Sequence, residues 1–192
     1  MYNKDISREV GDFMRKVAVV TGATSGIGRS LVITLLKEQM DVIAVGRSDE
    51  KINQLIEETK SLLNRNQLYI VKGDLSFHQG VIEISKQITQ ILSDQKLVID
   101  YLCHVAGRVT SGYHISKDHH ELTFQVNHLA VVDLTYLLLN YMKHTIKSRI
   151  LVVSSQSHFR ANINFNDLET KTYYSILRSY KRSKLYNVSF VK

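Results

Sequence analysis

Tyr180 and Lys184 stand four residues apart in the segment Tyr-Lys-Arg-Ser-Lys, on a stretch with helical periodicity. Residues at that spacing share a helix face. An ammonium beside a phenol favours the phenolate, so the pair can give a proton to a carbonyl oxygen or take one from an alcohol. A tyrosine and a lysine also meet at this spacing by chance on a Lys-rich helix. Ser154-Ser155 follows the apolar run Ile150 to Val153, and a hydroxyl at a strand end can hydrogen-bond a substrate oxygen. Asn127 lies in Phe124-Gln125-Val126-Asn127-His128-Leu129 within a long apolar helix, where a buried amide needs partners. Taken singly, Ser155 and Asn127 also read as structural residues.

A second constellation lies near the start of the chain. Thr21-Gly22-Ala23-Thr24-Ser25-Gly26-Ile27-Gly28 separates the β-branched run Val17 to Val20 from a segment with Leu31, Leu35 and Leu36 at helical spacing. Glycines between a strand and a helix let the backbone approach a pyrophosphate, and the helix N-terminus favours its charge. The turn therefore points to a bound dinucleotide, although its Gly-x-x-x-Gly-x-Gly spacing departs from the commoner Gly-x-Gly-x-x-Gly. An ordinary glycine-rich turn has the same look. At the end of the second strand, where an acid would hold a ribose 2′-hydroxyl, stands Gly46, followed by Arg47. A guanidinium can grip a 2′-phosphate through charge-assisted bonds. The expected cofactor is NADP(H) in preference to NAD(H), against the plainer reading of Arg47 as a surface residue. Asp74, after Lys72-Gly73, suits a turn or a helix N-cap.

These residues need elements to hold them. Strands are expected over 16–20, 41–46, 68–72, 97–103 and 149–154, and helices over 26–39, 49–64, 77–93, 118–145 and 173–191. Alternation of this kind implies βαβ units with right-handed crossovers, hence an α/β fold with a doubly wound, Rossmann-type parallel sheet. The apolar runs at Leu97 to Ile99 and Ile150 to Val153 read as strands covered on both sides. An N-terminal extension is expected over 1–15 and a single dinucleotide-binding domain over 16–192.

Of 192 residues, 44% are hydrophobic and one, Cys103, is cysteine. The core can be sizeable, and a single cysteine without an intrachain disulfide suits a reducing, cytoplasmic setting. The run from Leu129 to Met142, interrupted by Asp133, is too short for a membrane span and reads as a buried helix. The mixed charges of residues 1–16 suit neither a signal nor a transit peptide. Charge is uneven: residues 1–142 hold 15 Lys/Arg against 16 Asp/Glu, whereas 143–192 hold 10 against 2. That basic end is unaccompanied by a nucleic-acid motif, and no nucleic-acid partner is expected; a solvated face or a field around an anionic cofactor suffices. The eight histidines lack zinc-ligand spacing, so no metal site is expected.

The order glycine turn, Asn127, Ser155, Tyr180, Lys184 resembles the short-chain dehydrogenase/reductase family from about Lys16 onward. Phe124 to Leu129, Val152 to His158 and Tyr180 to Asn187 resemble most its retinol dehydrogenase branch and the dehydrogenase part of WW-domain-containing oxidoreductase. The resemblance implies roles. Tyr180 is the general acid/base, Lys184 holds the nicotinamide ribose, Ser155 orients the substrate oxygen, and Asn127 supports a water-linked proton relay. Gly22, Thr24, Ser25, Gly26, Ile27, Gly28, Arg47, Asp74, Ala106 and Gly107 would bind cofactor with Tyr180 and Lys184, Asp74 at the adenine. The implied reaction interconverts a lipophilic alcohol and its carbonyl, such as a retinoid or steroid.

Two departures stand out. His104-Val105-Ala106-Gly107 replaces the family's Asn-Asn-Ala-Gly, and His104 is given no catalytic role. The chain also ends at Lys192, soon after the Tyr-Lys helix, whereas the family continues with a further strand, a substrate-binding segment and the last strand. The expected sheet therefore lacks the last strands. An alternative to the enzyme follows: a catalytically impaired cofactor- or partner-binding protein, pairing with itself or with a full-length relative through its fourth and fifth helices.

Overall fold

The computed structural model describes residues 15–192, so the expected N-terminal extension lies, Arg15 apart, outside the described residues. Five strands, β1 (Val17–Thr21), β2 (Asp41–Gly46), β3 (Leu68–Lys72), β4 (Tyr101–His104) and β5 (Arg149–Val152), form one parallel sheet in the order β3-β2-β1-β4-β5. The strand order reverses between β1 and β4, whose registers bring Thr21 beside His104. Crevices at such reversals, outside the carboxyl ends of the strands, bind ligands.

Side-chain alternation along the strands divides the core. Val20, Val42 and Ala44 face α1 (Gly26–Lys37) and α2 (Asp49–Thr59) through Val32, Leu36 and Leu55. Val17, Val19, Ile43 and Val45 face α3 (His78–Asp94) and α4 (Leu122–Tyr141) through Ile84, Ile88, Leu134 and Leu138. Helices on both faces satisfy the apolar strands on each side, which is the doubly wound arrangement the alternation implies. A last helix, α5 (Ile176–Phe190), packs against α4.

α4 is long and apolar enough to cross a membrane by length and composition, but 56% of that stretch is buried in the fold. Its buried face makes it a core helix, as expected. It is not regular: Gln125–Leu129 forms a π-turn between α-helical segments. The helix starts at Leu122, later than expected, because Glu121 caps it, accepting from the Phe124 amide at 2.8 Å.

Two strand expectations need correction. Leu97 to Ile99 precede β4 instead of forming it; Val98 is largely exposed and Ile99 makes only an isolated bridge to Met142. β5 is not covered on both sides. It pairs with β4 alone among the described residues, and Leu151 is 49% exposed. A strand at the edge of a sheet lacks the neighbour that would complete its burial.

Candidate active site

A groove of about 200 Å³ opens at the carboxyl ends of the strands, lined by Gly22, Thr24, Ser25, Arg47, Asp74, Ala106 and Gly107 among others. Gly26, Ile27 and Gly28 begin α1 beside it. Close approach explains two of the glycines. A Cβ on Gly28 would sit 2.2 Å from the Gly22 carbonyl oxygen, and one on Gly22 would press on Ala106 Cα at 2.7 Å. Gly26 has a positive φ of 50° and open space where its Cβ would be. Ser25, at the N-cap of α1, makes no side-chain capping bond. First-turn amides and clear space are what a pyrophosphate requires, so these residues fit a dinucleotide. Thr21 holds the facing wall: its Oγ1 accepts from the Val105 and Ala106 amides at 3.1 and 3.2 Å.

At the end of β2, a Cβ on Gly46 would lie 2.5 Å from Thr24 Cγ2. The place an acid would take is therefore filled by the turn itself. Arg47, 66% exposed, has its guanidinium 3.9 Å from the Asp74 carboxylate across the groove. Ser48 caps α2, and Lys51 in its first turn lines the same wall. Sequence reasoning missed Lys51. The signal was a second cation four residues after Arg47, just inside a helix start.

The other half of the candidate site is built on α5. Lys184 is only 4% exposed, and Nζ donates to the Val153 carbonyl at the end of β5 at 3.0 Å. Ser154 Oγ returns a bond to the Lys184 carbonyl at 2.9 Å. Burial lowers the Lys184 pKa by disfavouring the ammonium. Nζ lies 5.8 Å from the centre of the Tyr180 ring, and a Cβ on Gly107 would be 3.5 Å from it. The ammonium thus connects the groove wall, the end of β5 and Tyr180. Ser155 is not hydrogen-bonded to Tyr180. Its Oγ accepts from Ser157 N at 3.3 Å and Ser157 Oγ at 3.0 Å. Both bonds use its lone pairs, which leaves the Ser155 proton for another acceptor.

Asn127 is fully buried and satisfied. Oδ1 accepts from the Arg108 amide at 2.8 Å, and Nδ2 donates to the Arg108 carbonyl and to Ser183 Oγ. The side chain clamps the Gly107–Arg108 segment to α5. The Asn127 carbonyl, inside the π-turn, accepts from Asn187 Nδ2 at 2.8 Å. Asn187 Oδ1 in turn faces His128 Nδ1. Ser183, three residues beyond Tyr180, is not marked by the sequence, and Asn187, seven beyond, stands out there only as the start of an Asn-Val-Ser sequon that chance explains; only the fold shows that they face Asn127.

His104, at the family's asparagine position, is buried beside Thr135. Thr135 Oγ1 donates its proton to the Val131 carbonyl, so it accepts from His104 Nε2–H. Desolvation pushes the imidazole pKa down to about 4, which keeps it a neutral core residue, as expected. Burial raises the Cys103 thiol to about 11, outside the reactive range. Among the described residues there is no cluster able to hold a metal ion.

The crevice at the strand reversal, the glycine turn and the buried lysine beside Tyr180 define a dinucleotide-binding α/β oxidoreductase fold. Residues 16–167 match the family model described as short chain dehydrogenase, and the chain belongs to that family. Within it the chain stands close to the retinol dehydrogenases. It is 32% identical to Retinol dehydrogenase 11 of Mus musculus over 177 residues, covering 92% of this chain and 55% of that protein. It is 31% identical to Polyprenol dehydrogenase of Homo sapiens, covering 91% and 53%. The crystal structure of an uncharacterised protein from Mycobacterium paratuberculosis matches with a TM-score of 0.78 at 27% identity, over 93% of this chain and 60% of that one. The chain spans about half the length of the curated relatives it matches. The family fold implies a nicotinamide cofactor.

Proposed function

We propose that this chain carries the cofactor and proton-transfer site of an NADP(H)-dependent oxidoreductase, cytoplasmic, that interconverts a lipophilic alcohol and its carbonyl. The observation that carries this reading is the buried Lys184, which joins the groove wall at Gly107 to Tyr180. The names of the relatives, retinol and polyprenol dehydrogenases, favour a lipophilic substrate.

Gly22, Ser25 and the first turn of α1 would hold the pyrophosphate, Asp74 the adenine side, and Arg47 with Lys51 a 2′-phosphate. When bound, the cofactor supplies or takes up the hydride. In reduction, the Tyr180 hydroxyl donates its proton to the substrate oxygen as negative charge develops there. In oxidation it takes the alcohol proton back. Ser155, with its lone pairs committed to Ser157, directs its own proton at the same oxygen. Lys184 supplies positive charge beneath the tyrosine and the ribose, and Asn127 keeps the Gly107 loop in register with α5.

A second reading, a cofactor- or partner-binding protein without turnover, is favoured by the β5 edge, which has no strand beside it among the described residues. Its partner would be a second copy or a longer relative, through the exposed apolar side chains of α4, among them Tyr136 and Leu139. Cofactor titration followed by retinaldehyde reduction separates the readings. The enzyme reading expects NADPH binding tighter than NADH and turnover lost in Tyr180→Phe. Binding without turnover in the unaltered chain overturns it in favour of the second.

A further inference from the structure

The basic C-terminal fifty residues are not explained by the groove, since none of their cations lines it and Lys184 alone comes up to its wall, at Gly107. Four of the others, Arg160, Arg178, Lys181 and Arg182, line a separate pocket of about 260 Å³ together with Asn162 and Ser175. We infer that this pocket is a phosphate-binding site.

Three observations support it. The pocket sits at the N-terminus of α5, a 15-residue helix whose N-cap, Ser175, makes no side-chain capping bond. Its first-turn amides therefore remain available, and the helix dipole favours an anion there. The lining holds four cations and no carboxylate, and among the described residues Arg160, Arg178 and Lys181 have no acidic partner within ion-pair distance. The third observation is Arg182. Its side chain is 9% exposed, with Nη1 bonded to the Asp167 carbonyl and to Thr170 Oγ1 at 3.1 Å each. The Asp167 carboxylate lies at 4.0 Å and offsets part of its charge. Nε, however, is buried without a partner. A buried guanidinium N–H left unbonded is costly, and a guanidinium edge is one that carboxylate and phosphate oxygens alike engage through two parallel bonds.

Phosphate fits better than a carboxylate here, because its oxygens can address helix amides and several cations together. The volume greatly exceeds the about 30 Å³ share of one water molecule, so a phosphate enters with its ester or with bridging water. The site is distinct from the cofactor groove: the two linings share no residue. At about 100° per residue, Arg178 and Arg182 lie about 120° to 160° around α5 from Tyr180 and Lys184, and Lys181 about 60° to 100°. Arg160 and Asn162 belong to the segment that leaves Ser155, so a phosphate held here ties that segment to the start of α5.

The test is a titration of the isotope-labelled chain with inorganic phosphate at fixed ionic strength, chloride being the control, followed by NMR of the Ile176, Leu177 and Arg178 amides. Saturable shifts at these amides are expected with phosphate and not with chloride. Arg178→Ala and Lys181→Ala should each weaken the response about tenfold, while Arg47→Ala leaves it unchanged. Lys181 makes no side-chain hydrogen bond among the described residues, so its substitution separates lost binding from lost folding. Shifts absent, reproduced by chloride, or indifferent to both substitutions overturn the site. Sedimentation with phosphatidylcholine vesicles with and without phosphatidic acid then identifies the source. Lys181-dependent retention by the acidic vesicles assigns the site to a lipid phosphomonoester. Phosphate binding without retention assigns it to a soluble phosphate compound.

Discussion

The two halves of the candidate site are held in different ways. The glycine turn is largely local: within eight residues, Gly22, Gly26 and Gly28 fix a strand exit, an open space and a helix start; Gly28 lies against the Gly22 backbone, and only Gly22 reaches beyond the turn, to Ala106. The α5 half is assembled at long range. Lys184 reaches Val153, Asn127 reaches Ser183, and Asn187 reaches back to Asn127, across about sixty residues in the last two cases. The first half also lies inside a sheet region covered on both faces, whereas the second rests on β5, whose outer edge has no strand beside it among the described residues. Under the proposed function, cofactor recognition would rest largely on backbone shape, and proton transfer on side-chain contacts that a single substitution can remove.

The strongest way to separate the halves is Tyr180→Phe. Turnover should fall by about a thousandfold or more, while NADPH affinity, measured by fluorescence titration, stays within about twofold because the phenol hydroxyl is at most one of many contacts to the dinucleotide. A parallel loss of affinity would show that the halves are not independent. His104 offers a test of the sheet beneath both. Its pKa of about 4 lies below the ordinary 6.5, so between those values the unfolded chain binds the extra proton. Stability is then fully present above pH 6.5 and declines as pH falls towards 4, by about 3 kcal/mol. Chemical denaturation at several pH values should show that slope, and His104→Asn should flatten it.

Smaller effects sharpen the same contrast. Arg47→Asp should weaken NADPH binding by about tenfold to a hundredfold, the contact being charge-assisted but solvent-exposed, and leave NADH nearly unaffected. Equal losses for both would remove the 2′-phosphate assignment. Ser157→Ala deletes the hydroxyl that donates to Ser155 and should lower kcat about two- to tenfold with little change in KM or in melting temperature. A change in KM alone would mean that the serine pair binds substrate without orienting it.

Legibility in the sequence follows this division. The turn could be read because its residues are consecutive and each glycine has a backbone reason. The parallel, doubly wound sheet could be read because helix-length segments alternate with apolar runs. Leu97 to Ile99 misled because apolar runs do not distinguish a strand from the segment that leads into one, and β5 because a run of Ile, Leu and Val does not show whether both faces find cover. Tyr180 and Lys184 were visible as a pair, but the partners that orient them were not. Asn187 in particular looks like the start of a glycosylation sequon, Asn187-Val188-Ser189, yet it is buried and bonded to Asn127 and His128. Lys51 escaped because nothing in a helix's polar first turn marks which cation faces a groove.

The π-turn at Gln125–Leu129 has a consequence for how this helix tolerates change in length. Such a turn is equivalent to a single residue inserted into an α-helix. Deleting one residue between Gln125 and Leu129 would let the ladder close into regular helix with the faces on either side still in phase, so the Glu121 cap and the core contacts of Leu134 and Leu138 could keep their places. What the deletion would remove is the wide turn itself, and with it the present position of the Asn127 carbonyl. The geometry that presents the Asn127 carbonyl to α5 is encoded as a count as much as an identity.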